Sequence, residues 1–286
     1  MGFVELLKKR AKESVKTIVL PETEDMRTLE ATDKILKEGV AKIILIGNEE
    51  EINKKAAEGG FDISGAQIVD PEKSDRTQAY IDKFVELRAK KGMTPEKAKE
   101  ILHTQYPYYG VMMVKMGDAD GMVSGACHST ADTLRPCLQI LKTKPGTKLV
   151  SAFFLMVVPN CDMGANGTFI FADAGLEQNP DPEKLANIAI SSADSFKLLV
   201  EKEPVVAMLS HSTKGSAKHA DVDKVVEATK IAQELAPELA LDGELQLDAA
   251  IVPSVGESKA PGSKVAGHAN VLVFPDLDAG NIGYKL

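Results

Sequence analysis

Short apolar runs without a polar break, each followed by a segment with helical spacing, recur along the chain. In the first half these runs are "KTIVLPE", "AKIILIGN" and "AQIVDP". Between the first two, apolar residues define one helical face that ends at Gly39: Met26, Leu29, Ile35 and Leu36. Strands that are apolar on both faces must be covered on both faces, and strands joined through helices run parallel. The chain is therefore predicted to be an α/β protein with mainly parallel sheets.

The same pattern starts again in the second half, after the turn-forming stretch "KTKPGTK" at 142–148. "LVSAFFLMVVP" and "GTFIFAD" are predicted to be adjacent strands, a long helix follows from 182 to 199, and "VVAMLSHST" and "NVLVFPD" are later strands. A chain of 286 residues exceeds the usual size of a single core. Two three-layer α/β/α domains are predicted, at 1–143 and 144–286.

Composition narrows the class of protein. With 44% apolar and 27% charged residues, the chain has the composition of a soluble globular protein. A net charge of −8 with scattered Lys and Arg argues against a nucleic-acid surface. Three cysteines without a CxxC pair favour a reducing compartment over a disulfide framework or a zinc site. The longest apolar run is too short to span a bilayer, and the N-terminal stretch lacks the apolar core of a signal peptide. A cytoplasmic protein without a membrane or nucleic-acid partner is predicted.

Two loops that follow apolar runs combine Ser, Thr and Gly. They are "SGACHST" at 124–130, called the hydroxyl loop below, and "SHSTKGS" at 210–216, called the lysine loop. Ligands of parallel sheets bind beyond the carboxyl ends of the strands, where hydroxyls and backbone amides can donate to a phosphate. Arg135 could supply a bidentate cation. The open alternatives are that the Ser and Thr residues are helix N-caps and that Lys214 is an ordinary surface lysine.

Other kinds of site have little support in the sequence. There is no GxxxxGK[ST] and no GxGxxG after the first strand, so a nucleotide cofactor site of either type is not supported. No GxSxG nucleophile elbow occurs, and the carboxylates of "DLDAGN" and "DADG" do not have the spacing of a calcium loop. Cys161 follows a strand, a position suited to a nucleophile, but no partner that would lower its pKa is visible. No metal and no cofactor are predicted.

Several long runs resemble the phosphate acetyltransferases, also called phosphotransacetylases, from about residue 16 to the last residue. These runs are "LPETED", "ADGMVSGACHSTADTLRP", "TKPGTKLVSAFFLMVVP", "GTFIFADAGL", "MLSHSTKGSAKH", "DGELQLDAAIVP" and "SKAPGSKVAGHANVLVFPDLDAGNIGYKL". The looser superfamily includes phosphate butyryltransferases and the C-terminal part of hybrid malic enzymes, and it shares its architecture with the isocitrate dehydrogenase group.

The resemblance implies reversible transfer of an acetyl group between coenzyme A and inorganic phosphate. It further implies a homodimer with its site in the cleft between two α/β domains, coenzyme A as a substrate, and no metal or redox cofactor. The coenzyme A thiolate would attack acetyl phosphate directly, without an acyl-enzyme. Two alternatives stay open: a phosphate butyryltransferase, and a non-catalytic acyl-CoA-binding regulatory domain.

The resemblance also implies roles for individual residues. Ser129 and Arg135, in the run that ends "TLRP", match catalytic positions, and Cys161 matches a thiol in the cleft that is sensitive to thiol reagents. Arg88 in "ELR" matches an arginine associated with the phosphates of coenzyme A, although by itself it is typical of a solvated helical face. The full set with implied substrate-binding roles is Thr130, Ser212, Lys214, Gly215, Arg88 and Asn281.

Family members continue for several dozen residues beyond "GNIGYKL", and that segment returns to the first domain with a Ser-Arg pair and the aspartate thought to deprotonate the thiol. From the resemblance, these 286 residues by themselves are expected to form acetyl phosphate poorly. The last ten residues, "LDAGNIGYKL", are predicted to begin a helix near Asn281.

Overall fold

Helices and strands alternate along the chain, as the apolar pattern predicts. The computed structural model describes residues 2–145, 147 and 149–286. It divides into two units, Met1–Lys142 and Thr143–Leu286. The predicted boundary stretch at 142–148 contains Gly146 and Lys148, and the predicted first domain begins with Met1; these three residues lie outside the described part.

The first unit contains four strands and seven α-helices in its described part. The strands are β1 (Lys16–Leu20), β2 (Ala41–Ile46), β3 (Gln67–Val69) and β4 (Gly121–Met122). The helices are α1 (Phe3–Glu13), α2 (Met26–Glu38), α3 (Glu49–Gly59), α4 (Thr77–Arg88), α5 (Pro95–Thr104), α6 (Tyr106–Met116) and α7 (Thr130–Pro136). A 3-10 turn, Ala89–Lys91, follows α4, and a π-helical turn, Cys137–Leu141, follows α7.

All strands of the first sheet are parallel, in the order β3-β2-β1-β4. Successive residues of β2 point to opposite faces. Ile44 and Ile46 pack in one apolar cluster with residues of α4, α5 and α6, while Ile43 and Leu45 pack in another with residues of α2 and α3. Both faces are therefore covered by helices, which confirms a three-layer α/β/α arrangement for this unit.

The second unit contains five strands and six α-helices among its described residues. The strands are β5 (Phe153–Val157), β6 (Thr168–Ala172), β7 (Val205–Leu209), β8 (Ala240–Leu245) and β9 (Val271–Val273). The helices are α8 (Met163–Asn166), α9 (Pro182–Val200), α10 (Ala220–Leu235), α11 (Leu247–Ile251), α12 (Pro253–Lys259) and α13 (Leu277–Gly283).

The second sheet has the order β5-β6-β9-β7-β8, and all pairs except the antiparallel β5-β6 pair are parallel. Ala207 and Leu209 of β7 share an apolar cluster with Ala250 of α11. Val206 and Met208 point to the opposite face and are fully buried, and helices α9 and α10 pack against this sheet. The prediction of an α/β chain with mainly parallel sheets is confirmed.

Two elements differ from what the sequence predicts. Strand β8 was not predicted, because its polar residues Asp242 and Glu244 interrupt the apolar pattern. Helix α13 begins at Leu277, so the prediction of a helix start near Asn281 is wrong. The carboxylate of Asp276 accepts a hydrogen bond from the backbone N–H of Ala279, which fixes the earlier start. Within the described residues, no helix combines the length and the hydropathy needed to cross a bilayer.

Candidate active site

A buried carboxylate lies at the base of the hydroxyl loop. Glu22 lies two residues after the end of β1 and is 2% exposed. It accepts hydrogen bonds from the backbone N–H groups of Gly125, Ala126, Cys127 and His128, at 2.7, 2.8, 3.0 and 2.9 Å. Four consecutive N–H groups thus converge on one side chain, a geometry that is typical of an anion-binding nest.

The charge of Glu22 follows from these contacts. Burial alone would raise its pKa, but the N–H groups of the loop and the imidazole of His128 favour the carboxylate more strongly and lower the pKa to about 2. The Nδ1 atom of His128 lies 2.8 Å from the Glu22 carboxylate. Because that oxygen is ionised, Nδ1 carries the proton and donates it. A carboxylate that is ionised at neutral pH therefore lies beside the hydroxyl loop, next to the residues predicted to bind phosphate.

The other side of the same loop is held by an arginine. The guanidinium of Arg27 donates to the backbone carbonyl of Ala126 and forms a salt bridge with Asp25, at 2.6 Å. Glu22 lies in the segment that joins β1 to α2, and Arg27 is the second residue of α2. The chain from 22 to 27 therefore contacts the N–H groups and a carbonyl of the hydroxyl loop, and it ties the carboxyl ends of the neighbouring strands β1 and β4 together.

The two predicted catalytic residues meet at Asp132. Ser129 is the N-cap of α7: its Oγ accepts from the backbone N–H of Asp132 and donates to the carboxylate of Asp132, at 2.6 Å. Arg135, whose side chain is 56% exposed, lies 3.4 Å from the same carboxylate. The N-cap alternative therefore applies to Ser129, while Thr130 is the first residue of the helix. The Ser-x-x-Asp spacing of a capping box could have indicated Asp132 from sequence.

Arg88 and Arg135 both act on the pKa of one phenol, that of Tyr108. Arg88 is the last residue of α4, and its Nε is buried without a hydrogen-bond partner among the described residues. Burial raises the pKa of Tyr108, and the guanidinium groups of Arg135 and Arg88 act in the opposite direction. Guanidinium groups suit a ligand with several negative charges, and the roles of Arg88 and Arg135 stay predictions.

Further polar groups around the hydroxyl loop are also unsatisfied. Among the described residues, the hydroxyls of Ser124 and Thr133 are buried without a hydrogen-bond partner, as is Nε of Arg88. Buried polar atoms are almost always paired, so each of these unpaired donors is a group from which a ligand could accept a hydrogen bond.

The lysine loop of the second unit is organised by its own buried carboxylate. Glu244 of β8 accepts from the hydroxyl of Ser212 at 2.9 Å and from the N–H of Gly215 at 2.7 Å. Lys214 forms a salt bridge with Asp242 and donates to the carbonyl of Gly243. Sequence reasoning did not find either carboxylate, because both lie in the unpredicted strand β8.

Burial alone would raise the pKa of Asp242, but the ammonium of Lys214 and the hydroxyl of Ser263 outweigh burial, and the pKa of Asp242 is lowered. Lys214 thus already has an anionic partner, and the roles of Ser212, Lys214 and Gly215 in substrate binding stay predictions.

The remaining predicted residues lie elsewhere in the second unit. The side-chain amide of Asn281 donates to the carbonyl of Ala174 at 3.2 Å. Cys161 is partly buried and packs against the apolar cluster that contains Phe169. Both predicted roles stay untested by these contacts.

One described group of side chains has the composition of a metal site. Ligand atoms of Glu22, Cys127 and His128 lie within 4.8 Å of one another. However, both oxygens of Glu22 already accept backbone hydrogen bonds. Burial and the carboxylates of Glu24 and Glu22 raise the pKa of the Cys127 thiol to about 12, so the thiolate that a metal would need is strongly disfavoured. Hydrogen bonding explains this group, and no metal is assigned to it.

A parallel α/β fold with hydroxyls and backbone N–H groups in a loop after a strand is typical of proteins that bind a phosphate-bearing small molecule. Residues 2–286 match the family model described as phosphate acetyl/butaryl transferase. The chain belongs to this family, which confirms the family predicted from the sequence.

Individual relatives agree with this assignment. A phosphate acetyltransferase from Acetivibrio thermocellus is 59% identical over 286 residues, which are 100% of this chain and 85% of that protein. One from Bacillus subtilis is 49% identical over 269 residues, 94% of this chain and 80% of that protein. A solved phosphotransacetylase structure from Streptococcus pyogenes has a TM-score of 0.90 at 46% identity, covering 99% of this chain and 84% of that one.

A phosphotransacetylase from Staphylococcus aureus likewise has a TM-score of 0.90, at 44% identity and with coverage of 99% and 84%. Members of this family act as acyltransferases, and the chain is a transferase. The isocitrate-dehydrogenase-like architecture stays a prediction.

Proposed function

We propose that the protein is a phosphate acetyltransferase that interconverts acetyl-CoA and phosphate with coenzyme A and acetyl phosphate. Its relatives carry this name over the whole of the chain. The observation that supports it in the structure is that Ser129 of the hydroxyl loop and Arg135 of α7 both contact one anionic group, the carboxylate of Asp132. Both substrates of such an enzyme are anions, and a hydroxyl and a guanidinium that share one anionic partner can hold a phosphoryl group in the same way.

In the proposed reaction the thiolate of coenzyme A attacks the carbonyl carbon of acetyl phosphate. The new C–S bond replaces the C–O bond to phosphate, and inorganic phosphate leaves with the electron pair of that bond. The thiol gives up its proton to solvent water before the attack. Arg135 and the hydroxyl of Ser129 bind the phosphoryl oxygens, where negative charge accumulates as phosphate departs. Thr130 assists at the start of α7, and Arg88 binds a phosphate of coenzyme A.

A substrate phosphoryl group has to compete with a carboxylate of the protein. Ser129 and Arg135 both contact Asp132, and both side chains of the Arg135–Asp132 pair are largely exposed. Exposed ion pairs contribute little to stability, so Arg135 can exchange Asp132 for a phosphoryl oxygen at small cost. The lysine loop residues Ser212, Lys214 and Gly215, together with Asn281, are proposed as further substrate contacts.

The direct test is to measure acetyl-CoA formation from acetyl phosphate and coenzyme A with the whole protein, and then to replace acetyl phosphate with butyryl phosphate. A higher kcat/KM for the acetyl substrate is expected. A preference for butyryl phosphate would make the protein a phosphate butyryltransferase. Acyl-CoA binding without turnover of either substrate would favour the non-catalytic regulatory domain and overturn the proposal.

The direct-transfer mechanism has its own test at Cys161. Because this thiol is proposed to lie near the substrates without forming a bond to them, Cys161→Ala should keep most of the wild-type rate. Alkylation of the wild-type thiol should reduce the rate through added bulk. An acetyl group trapped on Cys161 and detected by mass spectrometry, together with ping-pong kinetics, would establish an acyl-enzyme instead.

We also propose that the enzyme is a cytoplasmic homodimer that takes coenzyme A as a substrate and needs no metal or redox cofactor. Three free cysteines support a reducing environment. The edge strand β5, which exposes Val157 and neighbouring apolar side chains, supports contact with a second copy.

A further inference from the structure

The hydroxyl loop contains a nest of backbone N–H groups that the protein fills with its own carboxylate. We propose that Glu22 is a positioning residue for the acetyltransferase reaction. In this role it is an internal anion that fixes the backbone at 125–128 and thereby orients Ser129 and Thr130 toward the substrate phosphate. This inference rests on the proposed function, because it names what places two residues of that site.

The first argument is the direction of the contacts. The carboxylate meets backbone N–H groups of Gly125, Ala126, Cys127 and His128, at 2.7 to 3.0 Å. Backbone contacts of this kind fix the course of the chain whatever the side chains are. The residue that follows is Ser129, the N-cap of α7. A change in the backbone conformation at 125–128 would therefore shift the capping hydroxyl of Ser129, and with it helix α7 and Arg135.

The second argument is selectivity between neighbouring anion sites. Converging N–H groups attract any small anion, including inorganic phosphate. A substrate phosphate bound at 125–128 would lie in the wrong place relative to Ser129 and Arg135. Because Glu22 is almost completely buried and already satisfies these donors, it closes this competing site. The substrate is left with the donors of Ser129, Thr130 and Arg135.

The third argument is that the loop is held by two independent contacts. Arg27 donates to the backbone carbonyl of Ala126, a group that Glu22 does not contact. Loss of the Glu22 carboxylate should therefore alter the loop locally without unfolding β4 or α7. This makes a variant at position 22 interpretable in kinetic terms.

The kinetic test is Glu22→Gln, which keeps the shape of the side chain but removes its charge and turns one acceptor into a donor. We expect KM for acetyl phosphate, and for phosphate in the reverse direction, to rise by about 100-fold, because a misplacement of about 1 Å in a substrate contact has an effect of this size. KM for coenzyme A should change far less. A purely structural role would instead lower kcat through a smaller active fraction and leave both KM values unchanged.

The rescue test is Glu22→Ala measured with added formate. The truncation leaves four converging donors, and formate supplies the missing carboxylate, so formate should restore a measurable part of the lost activity. Formamide has nearly the same size without the charge and should not. The matched control is Glu30→Ala on α2, where the carboxylate contacts only Lys34 in the described structure. This variant should behave as wild type with and without formate.

Amide hydrogen exchange at 125–128 gives a readout that does not depend on turnover. Exchange should be slow in the wild type, fast in Glu22→Ala, and slow again when formate is added. If the wild type makes no acetyl phosphate, the proposed function fails while exchange still decides whether Glu22 fixes the loop. Unchanged exchange in Glu22→Ala, or equal changes in KM for both substrates in Glu22→Gln, would overturn the proposal.

Discussion

At the scale of single residues, cations and N–H groups of the predicted site residues are balanced by carboxylates of the protein itself. In the first unit Arg135 is paired with Asp132 and the hydroxyl-loop amides with Glu22, and in the second unit Lys214 is paired with Asp242. The protein has a net charge of −8, so attraction of an anionic substrate depends on these local cations and not on the overall field.

Arg135→Ala tests the central cation. We expect kcat/KM for acetyl phosphate to fall by at least about 30-fold, because a charged contact that the bound phosphoryl group shields from water costs about 2–5 kcal/mol to lose. Steady-state kinetics provides the measurement. Lys99→Ala, which removes an equal charge from an exposed position on α5, should leave kcat/KM unchanged. Near wild-type constants for Arg135→Ala would remove this residue from the site.

Cys127 provides a second prediction at this scale. Although the residue is exposed, burial of its thiol and the carboxylates of Glu24 and Glu22 raise its pKa to about 12. In an assay at about pH 7.5, the thiolate fraction of Cys127 should be about 1,000-fold smaller than that of a cysteine with an ordinary pKa. Iodoacetamide reacts with the thiolate, so it should label Cys127 very slowly. Labelling is followed by mass spectrometry of the Cys127 peptide.

The Cys127 prediction has a matched control in Glu24→Gln, which removes the carboxylate that lies 3.3 Å from the sulfur. This change should accelerate labelling. Fast labelling of the wild-type peptide at neutral pH would contradict the prediction.

The sequence led to only part of this arrangement. Hydroxyls and Arg135 after an apolar strand are natural ligands for an anion and can be recognised from their types. A carboxylate at the same place contradicts that expectation, so neither Glu22 nor Asp132 is predicted from residue type. Asp132 has the local spacing of a capping box. The contribution of Glu22 depends on contacts with backbone N–H groups 103 to 106 residues away, which no local pattern contains.

At the scale of secondary-structure elements, patterns that depend on apolar periodicity were the reliable ones. Strands β1 and β2 and helix α2, with Gly39 as its left-handed C-cap, lie where the sequence predicts them. Strand β8 is not predicted, because Asp242 and Glu244 contact the lysine loop and interrupt the apolar pattern of the strand. Polar residues with such contacts make a strand difficult to recognise from its sequence.

The link between β1 and the hydroxyl loop predicts a dependence of stability on pH. The pKa of Glu22 is about 2 in the folded protein, below the value of 4.5 expected when unfolded. Because the folded pKa is the lower one, the stabilisation is complete above about pH 4.5 and is lost as the pH falls toward 2. The difference corresponds to roughly 3 kcal/mol at neutral pH.

Urea unfolding of the wild type and of Glu22→Gln at several pH values measures the contribution of the Glu22 carboxylate to the free energy of unfolding. The wild type should be more stable at pH 7, and the difference should shrink as the pH falls below about 4.5. A difference between the two proteins that does not change with pH would show that the carboxylate has no special stability in the folded state.

At the scale of the whole molecule, each unit has its own sheet and its own apolar clusters. Val157 of the edge strand β5 in the second unit is 46% exposed. The ring of Phe154 in the same strand stacks on the ring of Tyr284, with 3.8 Å between the ring centroids. An exposed apolar edge strand invites pairing with another chain. This property fits the proposed homodimer.

Val157→Lys should therefore shift the protein from dimer to monomer, because a charged side chain on the edge strand opposes burial against a second copy. Light scattering coupled to size-exclusion chromatography gives the mass in solution. Leu198→Lys, at a 77% exposed position on α9, should leave the mass unchanged. A monomeric wild type would contradict the homodimer, and a dimeric Val157→Lys variant would place the interface elsewhere.

The contacts of Glu22 with peptide groups also have a consequence for evolution. Backbone N–H groups are present in every residue type except proline, so Ala126 and Cys127 can be exchanged for many other residues while the hydrogen bonds persist. Gly125 has less freedom because its φ of 115° suits glycine. Position 22 can be exchanged least of all, since the side chain there must place a carboxylate within reach of all four N–H groups. Among related proteins under selection for this activity, Glu22 should therefore vary less in sequence than most residues of the hydroxyl loop that it contacts.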